Sequence, residues 1–425
     1  MLSGEKDFLR WTVPVFLGLP RCICISSQPR AQSLSKRTMW GINAVAALGA
    51  AFLTVGVEAG ALSQAHRGYG YINYTTITGY FLQDEPSTNS TTFDYTQYNF
   101  GLINRTYPAT SGWPSKNATQ WQQFQAQVDA LNREAPKDTV YKVMFLGRHG
   151  EGYHNAAQTF YGTPDWNCYE AELNGNATVS WFDADLDPNG IAQAETAHNY
   201  WASEFVNQKT PYPQSYYTSP LTRCLQTANI TFNGLKLPKE YPFVPKVKEL
   251  LREGISIHTC DRRRSKSYIH NLFPSWIIEK PFTENDELWD GVTAETTDAQ
   301  NARSKKWLDE VFATDKNTWL SITSHSGEIA STLSVLGHIP FPLNTGAIIP
   351  VLIKAQYLPA ADAPTPTTWA WTVSTHCAAS PKTSISSLAQ GCVCTGKEGA
   401  VTTPLVKVTN TRTQGPTRYP GPGFK

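Results

Sequence analysis

The stretch Val143-Met-Phe-Leu-Gly-Arg148-His149-Gly150-Glu151 decides the reading of this chain. An apolar run meets an arginine, a histidine and a glycine without a break. A buried strand that ends in this way at a sheet edge hands two polar side chains to a loop. Open α/β sheets bind their ligands beyond the carboxyl ends of such strands. Arg148 and His149 gain meaning from the elements around them.

Upstream, residues 62–118 are rich in Tyr, Thr, Asn and Gly with few periodic apolar positions, which predicts an irregular arm lying on the domain. Trp121, Phe124, Val128 and Leu131 recur at three- and four-residue spacing, the mark of an amphipathic helix. Ala135-Pro136-Lys137-Asp138 closes it, and Tyr141 to Leu146 is the first core strand. Residues 151–186 read as an insertion. Asp187-Pro188-Asn189-Gly190 opens a helix to about Phe205, with proline early in it. Ser215 to Thr218 is a short strand, and Ser219-Pro220 opens a helix that carries Arg223.

Val247 to Leu251 is another strand-like run, ending at Arg252-Glu253-Gly254. A charged and aromatic insertion, 255–290, has the make-up of a lid, and a helix is expected over 295–313. Trp319 to Thr323 is a strand that stops at Ser324-His325-Ser326-Gly327, with a helix to Leu336 behind it. Ala347 to Ile353 and Trp369 to Val373 are late strands, and the Thr-, Pro- and Gly-rich tail from about 396 is expected to be disordered. No internal repeat is visible. Strands alternating with helices predict an α/β fold: a mostly parallel central sheet with helices on both faces. The expected catalytic domain spans 140–395, preceded by the arm and one helix over 62–139.

Of 425 residues, 40% are hydrophobic and 17% charged, enough to bury a core. Lys+Arg is 36 against Asp+Glu 35, a net charge of +1, so nothing in the balance suggests nucleic acid and any basic site is local. Residues 1–61 form an extension in which Arg30, Lys36 and Arg37 precede Met39. Ala44 to Val57 is apolar, and Ala59-Gly60-Ala61 resembles a cleavage site. This is the layout of a secretory signal, with Met39 an alternative start to Met1. The apolar core is shorter than the ~20 residues of a membrane span, so no stable membrane partner is expected; a type II membrane anchor is the competing reading.

Asn73, Asn89, Asn104, Asn117, Asn176 and Asn229 each have Thr two residues on, a set of six sequons that favours secretion and glycosylation. Cys22 and Cys24 precede the cleavage region. Cys168, Cys224, Cys260, Cys377, Cys392 and Cys394 form three disulfides in one reading and are free buried thiols in the other. Their spacing does not match a zinc site.

Four polar positions close strand-like runs or open a helix: Arg148-His149, Arg223, Glu253 and His325. Arginine offers forked donors that match phosphate oxygens. A neutral imidazole can attack phosphorus, and neighbouring guanidinium groups keep it neutral. A carboxylic acid supplies the proton that an alkoxide leaving group needs.

At this point the residues resemble a known family. Arg148-His149-Gly150-Glu151, with Asn155 after it, resembles the signature of the histidine phosphatase superfamily, also called phosphoglycerate mutase-like. Four further stretches follow in that family's order: Leu186-Asp-Pro-Asn-Gly190-Ile-Ala-Gln193, Ser219-Pro-Leu-Thr-Arg223-Cys-Leu-Gln-Thr227, Leu251-Arg252-Glu253 and Thr323-Ser-His325. The resemblance covers about residues 140–355. His258-Thr-Cys260-Asp261-Arg262-Arg263-Arg264-Ser265, Phe273-Pro274 and Glu287-Leu288-Trp289 resemble a fungal and plant phosphomutase-like subgroup.

The resemblance implies that His149 is a nucleophile forming phosphohistidine, and that Arg148, Arg223 and His325 hold the phosphoryl oxygens. It implies that Glu253 protonates the leaving oxygen and then activates water, and that Asn155 lines the pocket entrance. It also implies that no metal or organic cofactor is required. Two departures stand out: Gly152 where the family often has Ser or Thr, and Ser326 where glycine commonly follows the second histidine.

Arg262, Arg263 and Arg264 are candidate substrate contacts, or a solvated charged face. His154 and His258 line the entrance or lie on plain surface. The expected activity is hydrolysis of a small phosphate ester, with a phosphomutase, or a non-catalytic binding protein on the same fold, as alternatives.

Overall fold

The quoted stretch starts in the long strand Thr139–Arg148, whose alternating side chains divide the core, and leaves it at His149. In this computed structural model the described residues are 69–107, 117–364, 370–380, 385–387, 391–394 and 399–407. The signal-like segment and cleavage region, Cys22, Cys24 and the tail after residue 407 lie outside them.

In chain order the elements are β1 (Tyr69–Thr76), α1 (Gln120–Glu134), β2 (Thr139–Arg148), α2 (Tyr153–Tyr161), α3 (Thr163–Cys168), α4 (Pro188–Asn207), β3 (Ser215–Thr218) and α5 (Thr222–Phe232). Then come β4 (Lys246–Val247), α6 (Lys266–Leu272), β5 (Ile277–Ile278), β6 (Thr293–Glu295), α7 (Thr297–Thr314), β7 (Trp319–Ser324), α8 (Ser326–Val335) and β8 (Ile348–Pro359). Seven strands form the main sheet in the order β1-β8-β2-β7-β3-β4-β5. β2, β7, β3, β4 and β5 are parallel neighbours, while β8 runs antiparallel to β2 and to β1. The fold is the expected α/β architecture.

Strand alternation splits the core between the two faces. Met144, Leu146, Leu320 and Ile322 pack with Trp307, Leu308 and Val311 of α7 and Ile329 and Leu333 of α8. Val143, Phe145 and Trp319 pack with Trp121, Phe124 and Val128 of α1 and Ala197 and Trp201 of α4. Each such large buried side chain contributes roughly 1.5–3 kcal/mol relative to exposure. Thr119 caps α1 in a reciprocal box with Gln122, and Asp187 caps α4 ahead of Pro188.

Four expectations are corrected. The arm begins as a strand: β1 pairs with β8 along an edge that the sequence had left unfilled, which also carries β8 past Ile353 to Pro359. The run Val247–Leu251 is a strand only at Lys246–Val247, because Glu249–Leu251 turns as a 3-10 helix, with the Glu249 N–H bonded to Glu279. Two disulfides form, Cys168–Cys392 and Cys377–Cys394, while Cys224 and Cys260 are buried free thiols. The tail beyond 396 is partly ordered, since Ala400–Val401 pairs with His376–Cys377. Among the described residues no helix is long and apolar enough to cross a membrane.

Candidate active site

The parallel strands β2, β7 and β3 end at one edge, and that register assembles the site. Arg148 is paired with Ser324, and Thr218 with Thr323. The residues that follow each strand therefore meet: His149 after β2, His325 after β7, and Ser219 with the start of α5 after β3. The His149 N–H donates to the Ser324 carbonyl at 2.9 Å and locks the two strand ends together.

His149 is 1% exposed. Its Nδ1 lies 2.7 Å from the Gly150 carbonyl oxygen, which accepts only, so Nδ1 carries the proton. Nε2 is left with a lone pair, and Arg223 Nε donates to it at 3.3 Å. Burial pushes the imidazole well below its ordinary pKa, and Arg223 and Arg148 push it the same way. This is a neutral imidazole with its basic nitrogen turned toward a guanidinium.

His325 is fully buried, with its ring centroid 5.0 Å from that of His149. Ser219 Oγ lies 2.7 Å from its Nε2, and the Cys224 thiol lies 3.3 Å from the same atom. Burial and Arg223 hold it neutral as well. Arg223 is anchored by Nη1 to the Cys260 carbonyl at 2.7 Å and by Nη2 to Asp261 at 3.7 Å. Arg148 donates from Nη1 to the Leu343 carbonyl at 2.7 Å, and its buried Nε has no partner among the described residues. Two cations and two neutral imidazoles thus converge, an arrangement suited to an oxyanion with a nucleophile beside it.

Glu253 sits at the amino end of α8. Its carboxyl group accepts from the Gly327 and Glu328 N–H groups at 3.3 and 3.1 Å. Gly327 is needed for this approach, since a Cβ there would come within 2.3 Å of Glu253 Oε1. The loop below is held by Arg303 of α7, which donates to the carbonyls of Leu250, Arg252 and Glu253 at 2.8, 2.9 and 3.1 Å. Arg303 in turn is gripped by Glu295 and by Glu328 of α8. Burial raises the Glu328 carboxyl to about 7 against the opposing pull of Arg303.

The other motif residues hold the loop after His149. Gly150 and Gly190 approach so closely that a Cβ on Gly190 would lie 1.9 Å from the Glu151 carbonyl oxygen. Gln193 accepts from the Glu151 N–H, Thr227 from the Gly150 N–H, and Gln226 from the Leu186 N–H. Asn155 Oδ1 accepts from the Gly152 N–H at 3.0 Å and caps α2, so its oxygen shapes the loop.

The arginine run has a different character from a solvated face. Arg263 is 2% exposed, and its guanidinium is spent on Glu249, Thr283 and the carbonyls of Arg264, Glu284 and Asn285. No donor is left for a substrate, which corrects that part of the expectation. Arg264 is tied to Asp183 and Thr222, bracing the start of α5. Arg262 is half-buried over the rings of Phe182 and Trp289. Arg252 is fully buried and paired with both oxygens of Asp286.

His258 is half-buried near Trp166, and burial lowers it to about 4. His258, Cys260 and Asp261 bring potential ligand atoms within 4.8 Å of one another. Asp261 already accepts from Ser256 and pairs with Arg223, and burial pushes the Cys260 thiol well up, so the group forms the wall behind Arg223. Sequence reasoning had no signal for Arg303, an unremarkable position on an amphipathic helix. Ser219 and Cys224 were within a quoted motif, but their contact with His325 was not legible.

With this geometry in hand, comparison with known proteins places the chain. The histidine phosphatase superfamily (branch 1) profile matches residues 170–345, taking in Arg223, Glu253 and His325. A "Probable phosphoglycerate mutase" of Arthroderma benhamiae is 46% identical over 286 residues, 67% of this chain and 85% of that protein. "Phosphomutase-like protein 3" of Candida albicans is 35% identical over 285 residues, 67% of this chain and 80% of its own length. Among solved structures, the ecdysone phosphate phosphatase of Bombix mori in complex with tungstate is similar at 19% identity and a TM-score of 0.32, over 46% of this chain and 76% of that one.

Proposed function

The chain belongs to the histidine phosphatase superfamily, among its phosphoglycerate mutase-like fungal members, and from that premise we propose that it hydrolyses small phosphate monoesters through a phosphohistidine on His149. The observation that carries this reading is the Nδ1 contact with Gly150, which puts the proton on Nδ1 and leaves the lone pair on Nε2, the atom that faces Arg223. Nε2 bonds to phosphorus as the ester P–O bond breaks, and Glu253 passes its proton to the departing oxygen. Arg148, Arg223 and His325 meet the charge on the phosphoryl oxygens. Glu253 then takes a proton from water, which attacks phosphorus and releases inorganic phosphate and neutral His149.

The experiment is brief incubation with a radiolabelled phosphomonoester followed by quench. An acid-labile, alkali-stable label that His149→Ala abolishes supports the reading. Alkali-labile labelling, or turnover retained by His149→Ala, overturns it.

Hydrolysis is preferred over mutase chemistry because the chain carries marks of the secretory pathway. Two disulfides suit an oxidising compartment. The sequon residues Asn73, Asn89, Asn104, Asn117 and Asn176 are exposed, with Asn229 half-buried. We therefore propose a secreted glycoprotein, with a type II anchor as the alternative. A glycosidase-sensitive mass in culture medium supports secretion, and retention in the membrane fraction supports the anchor. The second reading, a phosphoglycerate mutase, is favoured by the names of the fungal relatives. Labelled 3-phosphoglycerate separates the two: release of inorganic phosphate marks a hydrolase, and migration of label to the second hydroxyl a mutase.

A further inference from the structure

His154 is a third imidazole in the pocket, and the steps above give it no part. It lies in the first turn of α2, 9% exposed, with its ring centroid 5.4 Å from that of His149. Its Nδ1 is fully enclosed, and among the described residues neither ring nitrogen has a hydrogen-bond partner. Buried polar atoms are nearly always satisfied; with Nδ1 shut in against Gly152, Nε2 is the ring nitrogen left for a ligand in the oxyanion pocket to partner.

The room for this ring is made by Gly152. A Cβ at 152 would lie 2.8 Å from His154 Nδ1 and 3.0 Å from its Cε1, with the Asp185 carbonyl oxygen at 3.2 Å on another side. The imidazole thus fills the space that a side chain at 152 would take. Burial, Arg223, His149 and Arg148 all keep it neutral, with one N–H to donate and one lone pair.

We propose that His154 contacts substrate directly, donating a hydrogen bond to an oxygen of the phosphoryl group held at His149, and that Gly152 is required to seat it. The inference rests on His149 as the phosphoryl acceptor and deepens that reading by adding a contact on the α2 side of the pocket. The donor acts on an oxyanion, where charge assistance makes a single hydrogen bond count.

The test uses His154→Ala, His154→Gln, Gly152→Ser and the double variant Gly152→Ser/His154→Ala. It reads thermal midpoint, orthovanadate inhibition and the rate of phosphoenzyme formation by rapid quench. His154→Ala is expected to weaken vanadate and slow phosphorylation by about tenfold to a hundredfold, while the label still forms on His149. His154→Gln keeps an N–H donor and should recover part of the loss. Gly152→Ser alone should show a comparable loss by displacing the ring, and should cost little more once the ring is gone, a non-additivity the double variant reports.

Unchanged vanadate affinity in His154→Ala would overturn the proposal. So would losses that track the thermal midpoint and are equal for Ala and Gln. A wild-type protein that forms no phosphoenzyme would instead sink the reading of His149, and vanadate affinity would still decide the role of His154.

Discussion

Arg223 Nε lies 3.3 Å from Nε2 of His149, so one cation touches the atom proposed to attack phosphorus. The contact joins two roles, because the group that would bind the phosphoryl oxygens also adds to the burial that keeps His149 unprotonated. An ordinary histidine loses its lone pair to a proton below about pH 6.5. His149 is held well below that value and keeps its lone pair into acid solution.

Arg223→Met is therefore expected to lower the phosphorylation rate by about 10²–10³-fold, the usual effect of removing one oxyanion donor. It should also raise the His149 pKa and move the acid limb of the pH–rate profile to higher pH. Single-turnover rates across pH check both effects. A lowered rate with an unmoved acid limb would remove Arg223 as a cause of the depressed pKa.

Glu253→Gln should separate substrates by leaving group. An alkyl phosphate needs the proton and should slow by about 10²–10⁴-fold, whereas p-nitrophenyl phosphate, with its stable leaving anion, should slow much less at the phosphorylation step. Equal slowing of both would exclude Glu253 as the acid.

Arg303→Met leaves the buried carboxylates of Glu295 and Glu328 without their shared cation and frees the carbonyls of the Glu253 loop. Breaking one partner of a buried ion pair costs about 3–5 kcal/mol. Denaturant unfolding should show a loss of that size. In whatever fraction remains folded, alkyl phosphates should suffer more than p-nitrophenyl phosphate, because the acid is misplaced.

Glu172 is buried with an Oε1 that has no partner among the described residues, and burial raises its carboxyl to about 9, with Asp261 adding to the shift. The folded protein keeps a proton that the unfolded chain gives up above its ordinary 4.5, so stability falls as pH rises from about 4.5 to about 9. Glu172→Gln should flatten that decline and add on the order of 1–3 kcal/mol at pH 7. The buried histidines of the pocket act in the opposite direction. Below about pH 6.5 the unfolded chain binds protons that the folded pocket refuses, so stability falls on acidification. Thermal midpoints of both proteins across pH check the two slopes.

The Cys168–Cys392 bridge spans 224 residues and ties the last part of the chain to α3, in the insertion after His149. Replacing both cysteines by serine should cost about 2–5 kcal/mol. Urea midpoints measured with and without reductant check this, and a variant as stable as the oxidised wild type would show that the bridge does not hold this insertion.

The order of strands and helices was legible because the periodicities of 143–146, 188–205 and 319–323 are local properties of the chain. So was the candidate set Arg148, His149, Arg223, Glu253 and His325, since each stands at an element end that its neighbours define. Spacing alone could not say that Arg263, inside a run of three charges, turns inward to Glu249 while Arg262 lies over two rings. Nor could it say that residues 69–76 find the open edge of β8, because a strand pairing across 277 to 290 residues leaves no local trace.

The sequence by itself determined the family and the chemical types at the site, because both are written in residues at fixed spacing along single elements. Only the tertiary structure decided that Arg223 reaches Nε2 of His149, that Arg303 holds the loop of Glu253, and that His154 fills the room Gly152 leaves. Those relations depend on distances across β2, β3, β7 and the helices behind them. Burial above all, with the charges of Arg223 and Arg148, keeps His149, His154 and His325 neutral.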